Sequence, residues 1–401
     1  MDRRQGESGP HLRVVIASRI FAPEPSAASL RLSALAAELK ERAADVRVLT
    51  TRIPREHSTR TDSGLDVRRW PVLRDRSGYV RGYLPYLSFD VPLFLRVLFG
   101  KRGDVYVCEP PPTTGFFLRL ACAITRKPYV YYAADIWSDA AKATGASGLV
   151  IRAVRAMEAF AIRGSRAVIV VTDGVAARIG ALAPRARAHV VGHGVDLDRF
   201  SPVGDSVEAP ADIVYVGSAS EWHGAELAVR AVIEVLSNDS DITAAFIGQG
   251  SSWQAMRAIA SDAGMAKRIR FVDTVPPEQA AAWLRGARVS LATLVPGQGY
   301  DFAVPTKLYA SVAVGTPVAY AGPEPVRSMI EDNGLGCGVD YDEHVLADGI
   351  RELLKRDRID SVTRLTSWAQ EHVSARAVAR RTADVIVSVA RAVTVGSGHR
   401  R

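Results

Sequence analysis

Cysteine is scarce in this chain. Its 401 residues hold three, Cys108, Cys122 and Cys337, odd in number, scattered and without the spacing of metal ligands, which favours a reducing cytosol. Long apolar runs are missing too: stretches such as AVIVV, 167–171, fall far short of the roughly 20 residues that span a bilayer. The polar opening MDRRQGESGPHLR leads into an apolar stretch, Val14 to Ala17, too short for a signal-peptide core. No strand-like segment is followed by G-x-G-x-x-G, so a dinucleotide cofactor is poorly supported. No serine lies in a G-x-S-x-G setting, and the eight histidines form no i, i+4 pair with a glutamate. Asp196-Leu197-Asp198 formally reads as a metal motif, but a loop before Arg199-Phe200 needs turn-forming aspartates as well. Neither a metal nor a cofactor is expected.

What is present is the balance of a soluble enzyme: 48% apolar and 23% charged residues. A chain of this length is expected to form two domains. The formal net charge is +8, and it is uneven: the first 110 residues carry 17 Arg and 2 Lys against 13 acidic residues. Such asymmetry suits nucleic acid, anionic lipid or a phosphorylated substrate. There is no nucleic-acid module, no basic helix that reads as a unit and no RNP-type aromatic set, so nucleic acid is not an expected partner.

Apolar β-rich runs alternate with helical patterns. LRVVIASRI (12–20) precedes the loop FAPEPSAAS and the helical LRLSALAAELKERA, with Leu30, Ala34, Leu35 and Leu39 on one face. DVRVLT, DVYVCE, PYVYYA, AVIVVT and AHVVGHG continue the strands, with helices expected over 114–126 and 149–163. The polar stretch SPVGDSVEAPAD reads as a linker, after which DIVYVGS, TAAFIGQGS, IRFVDTV, VSLATL and PVAYAG form a second series. The pattern predicts two doubly wound α/β domains with parallel sheets, residues 1–200 and 201–375. One long helical run from Ser361 would return to the first domain over 376–401, with the tail GSGHRR disordered.

Anion sites are expected where helices follow strands, because first-turn amides are unpaired and the dipole is positive there. VYVGSASEWHG brings Gly217, Ser218 and His223 to one such start, although Trp222 and His223 also suit simple loop packing. In AVPTKLYASVAVGTP, Pro305 fixes the start, Thr306 suits a cap, and Lys307 lies in the first turn, where a cation is unfavourable unless an anion is near. A solvated surface lysine is the alternative. In the first domain, Pro25, Ser26, Ala27 and Ala28 make a small-residue loop with Arg31 one turn into the helix, an acceptor or phosphate loop. Asp135, ending an apolar strand, either enters the ligand crevice or caps a helix.

In order and spacing, VVGHGVDLDRFSP, VYVGSASEWHG, AAFIGQG, IRFVDTVPPEQAAAWLRGARVSL and VPTKLYASVAVGTPVAYAG resemble the retaining glycosyltransferases of family four. CEPPPTTG and YYAADIW resemble the branch whose members often build bacterial surface glycans. The likeness implies a GT-B fold of two facing Rossmann-like domains, an N-terminal acceptor domain and a C-terminal donor domain. It implies donor contacts at Gly217, Ser218, Gly248, Thr274, Val275, Phe302, Pro305, Thr306 and Leu308, and catalytic roles for Asp135, His223 and Lys307. It also exposes departures. Where the family has an Arg and a Lys on the donor diphosphate, this chain has Ser218 and His223; where it has two glutamates on sugar and ribose, Phe302 and Ala310 stand. His193 replaces the Asn of the family's Asn-Gly-Val-Asp.

The resemblance implies metal-independent transfer, with retained configuration, from a nucleotide sugar of unknown base to a glycan, lipid-linked or small-molecule hydroxyl. Phe302 would make a less polar sugar pocket, and Lys307 with His223 would replace the missing cations. The segment 68–103 mixes Arg, Tyr, Leu and Phe, as a peripheral contact with anionic lipid at the inner membrane face would, and as a buried helix with an arginine rim would too. Three rivals share the pattern: a sugar-nucleotide epimerase, a degenerate scaffold protein and an NAD-dependent oxidoreductase.

Overall fold

The computed structural model describes residues 12–24, 26–53, 64–74, 80, 82–143, 147–298 and 301–398. Pro25 and the last three residues of the expected disordered tail lie outside them. The chain divides into two compact units, one formed by residues up to Gly194 with those from Val378 onward, the other by Val195–Ala377.

The first unit is built on seven strands: β1 (Arg13–Ala17), β2 (Asp45–Thr51), β3 (Asp66–Trp70), β4 (Val105–Cys108), β5 (Tyr129–Ala133), β6 (Ala167–Val170) and β7 (Ala188–Val190). All pair in parallel in the order β3-β2-β1-β4-β5-β6-β7, with Val14 beside Val46 on one side and Val105 on the other. β4, β5 and β6 are buried at every residue, which is why they read as unbroken apolar runs rather than alternating ones. The helices are α1 (Ala27–Glu41), α2 (Tyr83–Phe99), α3 (Pro112–Thr125), α4 (Trp137–Ala143), α5 (Gly148–Gly164) and α6 (Asp173–Leu182). The sequence reading lacks β3 and offers α2 only as one of two readings of the segment 68–103, a buried helix with an arginine rim. β3 is an edge strand with charged Asp66, Arg68 and Arg69 in place of an apolar pattern. α2 carries Pro92 in its interior, a residue that argues against a helix unless packing overrides it; Phe89, Leu93 and Val97, all 0–1% exposed, supply that packing.

The second unit holds six parallel strands: β8 (Ile213–Val216), β9 (Ala244–Ile247), β10 (Ile269–Val272), β11 (Val289–Thr293), β12 (Val318–Ala321) and β13 (Gly336–Val339), in the order β10-β9-β8-β11-β12-β13. Its helices are α7 (Ala225–Asn238), α8 (Trp253–Asp262), α9 (Pro277–Gly286), α10 (Thr306–Ala313), α11 (Val326–Asp332), α12 (Glu343–Leu354) and α13 (Arg358–His372). β13, Gly-Cys-Gly-Val, does not read as a strand in sequence, yet Gly336 is required there: a Cβ would lie 1.9 Å from Val318 O. The segment 201–212 is no free linker. Arg285 donates to the carbonyls of Asp205 and Ser201, both at 3.0 Å, and Ala211 is in the core.

The expected single C-terminal helix is two. Val195 inserts between α13 and α14 (Ala375–Gly398): its N–H donates to Val373 O at 2.7 Å and its carbonyl accepts from Ala375 at 3.0 Å, while Ser374 Oγ caps Ala377 N–H. α14 continues through Gly398, so the tail 396–398 is helical. From Val378 it belongs to the first unit, where Arg42 bonds Asp384 at 2.6 Å and Arg381 donates to Val191 O.

Two glycines separate tight backbone from spare helix propensity. At Gly248, φ is 145° and a Cβ would sit 2.1 Å from Gly217 O, whereas a Cβ at Gly180 in α6 meets nothing within 4 Å. Gly248→Ala is expected to cost about 2 kcal/mol or more and Gly180→Ala to add about 0.5–1 kcal/mol. Denaturant midpoints of both variants check this, and equal midpoints would overturn it.

Candidate functional site

In the second unit β8 ends in a turn at Gly217, whose φ of 130° is open to glycine. Backbone bonds pin the turn to its neighbour: Gly217 N–H donates to Ile247 O and Ala219 N–H to Gln249 O, each at 2.9 Å. A short 3-10 turn, Glu221–His223, and Gly224 then lead into α7. His223 Nδ1 accepts the Ser220 N–H at 3.1 Å, which leaves the ring proton on Nε2. Burial, with the Lys307 ammonium adding to it, pushes the His223 pKa down to about 4. His223 is therefore a neutral donor at neutral pH and not the second cation expected from sequence.

α10 meets this turn. Pro305, half-buried, is its N-cap and no side chain caps the helix; Thr306, expected to do so, is its exposed first residue. The amides of Thr306 and Lys307 thus keep the positive helix end uncapped. Leu308 does not take part, because its side chain is fully buried and its N–H already donates to Pro305 O at 3.0 Å. Lys307 is no solvated surface residue. Its Nζ donates to Ser218 O at 3.0 Å and to the Tyr215 hydroxyl, and lies 3.8 Å from the centre of the Tyr215 ring. Burial pushes its pKa down to about 7. A Cβ at Gly217 would come within 3.3 Å of Lys307 Cε, so the turn glycine also makes room for the lysine.

The structure therefore gathers Gly217, Ser218, His223, Pro305, Thr306 and Lys307. Gly248 supports the group from behind, its own need for glycine being structural. Thr274 is exposed and Val275 packs against the core, both beyond β10, which β9 separates from β8. Phe302 is half-buried in the segment leading to α10. Tyr215, which no motif singled out, is the residue that holds the lysine; its signal was an aromatic hydroxyl in an otherwise aliphatic strand.

In the first unit Ser26 is the N-cap of α1, its Oγ accepting the Ser29 N–H at 3.0 Å, and Ala27 is exposed beside it. Arg31 is already partnered: it bonds Glu109 Oε1 at 2.6 Å and lies 5.1 Å from the Tyr132 ring centre. Burial raises the Glu109 carboxyl while Arg31 opposes the rise, and Glu109 Oε2 is buried without a partner. Glu109 ends an apolar strand as Asp135 does, so the same sequence signal could have found it. Asp135 is exposed and caps nothing in α4: the first amides there, Trp137 and Ser138, donate to Glu158 at 2.8 and 3.1 Å. Burial and then Arg31 push His193 down to about 4. Asp196 Oδ1 accepts from the Asp198 and Arg199 N–H groups, which forms the turn that this stretch also suggests.

Two family models match the chain, a glycosyl transferase 4-like domain over residues 26–194 and the glycosyl transferases group 1 over 210–356. The chain belongs to the family-four-like GT-B glycosyltransferases. It is 31% identical to the D-inositol 3-phosphate glycosyltransferase of Acidothermus cellulolyticus over 187 residues, 42% of this chain and 40% of that one. The match thus spans less than half the length of this curated relative. Sucrose-phosphate synthase from Thermosynechococcus elongatus superposes with a TM-score of 0.69 at 13% identity, over 95% of this chain and 100% of that chain. Anabaena HepE in complex with UDP and glucose gives 0.66 at 14% identity, over 94% and 100%. At these identities the two structures speak for the GT-B fold.

The geometry around α10 predicts an unusual lysine. A side-chain resonance that titrates near pH 7 and disappears in Lys307→Met is expected by NMR; a midpoint at the ordinary value of about 10.4 would overturn the buried placement.

Proposed function

We propose that this chain transfers a sugar from a nucleoside-diphosphate sugar to an acceptor hydroxyl with retention of configuration, in surface-glycan or glycolipid synthesis. The observation that carries the reading is Lys307, held by Ser218 O and Tyr215 at the uncapped start of α10. A diphosphate seated there meets the ammonium, the amides of Thr306 and Lys307, and the neutral Nε2–H of His223. As the bond to the sugar breaks, negative charge grows on the leaving phosphate, and these donors are already in place to stabilise it. The same phosphate oxygen takes the acceptor's proton on the face from which it departs, so no protein nucleophile is needed. The positive charge comes from the protein, without a metal.

Phe302 and Ala310, standing where carboxylates would hold sugar and ribose, favour a less polar donor sugar. Each missing charge-assisted bond gives up about 1.5–3 kcal/mol. HepE is described with UDP and glucose, which makes UDP the first probe. The relative's name, a D-inositol 3-phosphate glycosyltransferase, and the positive charge of the first 110 residues favour a phosphate-bearing acceptor. Asp135 would orient hydroxyls of acceptor or sugar. The setting is the cytoplasm, with peripheral contact at the inner face of the membrane; among the described residues no helix is long and apolar enough to cross one.

The altered donor contacts and the neutral His223 favour one second reading, a degenerate binding or scaffold protein without nucleotide affinity. Calorimetry with UDP and other nucleoside diphosphates, with metal removed, separates the two. Lys307→Ala is expected to weaken binding about 10–100-fold, and unchanged affinity would reject the assignment. Binding should also be linked to protons. The lysine of the free protein loses its charge as pH rises through about 7, and a bound diphosphate restores it, so protons are taken up on binding above that pH and affinity falls there. Buffers of different ionisation enthalpy measure the uptake; none at pH 8 would count against Lys307 as the phosphate ligand. Asp135→Asn should lower turnover while leaving UDP affinity intact, and full turnover would remove Asp135 from the mechanism.

A further inference from the structure

The first unit carries a cationic cavity that the donor chemistry leaves idle. It has a volume of about 780 Å³ and lies between the sheet and the C-terminal end of α2. Arg47, Arg68 and Arg96 line it beside Trp70, Leu95 and Phe99, and no acidic side chain is among its described lining residues. One carboxylate serves this group from outside: Asp66 accepts from Arg47 Nε at 2.6 Å and from Arg68 Nε at 2.5 Å. Arg96 donates one nitrogen to Arg68 O at 2.8 Å, while its Nη1 is buried without a partner. Burial and the neighbouring Arg47 and Arg68 push the Arg96 pKa below its ordinary value. Like charges so close, with one donor unspent, are relieved by an anion with several acceptor oxygens.

The approach to this cavity is apolar. Leu84, Leu87, Val91, Leu95 and Phe99 are 70, 40, 43, 47 and 83% exposed, spaced three or four apart along one face of α2. The opposite face, Phe89, Leu93 and Val97, fills the core, so α2 is apolar on both sides. Trp70 and Leu73, 41 and 57% exposed, continue the patch. An exposed apolar helix face running into a cluster of arginines is the arrangement of an interfacial helix, with apolar side chains in the acyl boundary and cations at the phosphates.

We propose that this face docks on an anionic membrane, with a lipid phosphate seated among Arg47, Arg68 and Arg96 and the α2 row inserted beside it. The proposal rests on the peripheral-contact reading, to which it gives a surface and a lipid class, and it is independent of the donor site. The test is co-sedimentation of the full chain with phosphatidylcholine vesicles, with and without about one-third phosphatidylglycerol. Binding to the anionic vesicles alone, weakened by salt, is expected. Arg68→Gln with Arg96→Gln should weaken it about tenfold or more, and Leu95→Ser with Phe99→Ser comparably, with circular dichroism melting and UDP affinity unchanged. Absence of vesicle binding would overturn both this proposal and peripheral contact. Vesicle binding untouched by either pair of substitutions would overturn this seat and leave peripheral contact standing. A dimer in sedimentation velocity that the Leu95 and Phe99 changes abolish, without vesicle binding, would assign the face to a second copy and overturn the membrane.

Discussion

The backbone contact between the turn at Gly217 and the turn at Gly248 is the constraint on which the candidate site depends. Gly217 O lies where a Cβ at Gly248 would be, and the two turns exchange bonds along their length through Ile247, Gln249 and Ala219. Because the strand ends are held this closely, the carbonyl of Ser218 points at a fixed place. Lys307, from a helix about 90 residues further along the chain, bonds to that carbonyl. The lysine is thus oriented by a backbone atom and an aromatic ring, neither of which depends on a bound molecule. Such pre-placement spares a ligand the cost of ordering a long flexible side chain.

The same placement sets the electrostatics. An ammonium beside buried groups is costly, and its pKa falls to about 7. The nearby imidazole is neutral for a related reason: burial disfavours its charge, and Lys307 adds repulsion. Two groups that sequence suggests as a pair of cations are therefore not both charged in the free protein at neutral pH. What they offer an incoming anion is one inducible charge, one neutral N–H and the amide groups of an uncapped helix. This is a different division of labour from two permanent cations, and it ties ligand binding to pH.

The first unit distributes its positive charge in two ways. Near the strand ends Arg31 is paired with Glu109 and stacked toward Tyr132, so its charge is largely spent inside the protein. Arg47 and Arg68 instead share the carboxylate of Asp66, which Arg96 does not contact, and the three keep a net positive field beside an apolar helix face. The excess of arginine visible in composition is thus local.

The alternation of apolar runs and helical patterns by itself determined two doubly wound α/β domains, because strands buried on both faces must be apolar throughout. Ordered short motifs were enough to indicate a GT-B glycosyltransferase. Gly217 and Lys307 were legible as candidates for the site because a glycine after a strand and a lysine in a first helical turn each conflict with local preference. Tertiary structure alone decided the rest. β3 and β13 escape the reading because charge at a sheet edge and glycine at a close approach hide a strand; for α2 a buried helix is one of two readings, and packing around Pro92 decides it. Glu158, 20 residues beyond Ser138, supplies the acceptors that a capping Asp135 would have offered. Whether Lys307 is solvated or buried, and whether His223 is charged, depends on groups brought together from distant positions, and burial by such groups is what sets a pKa.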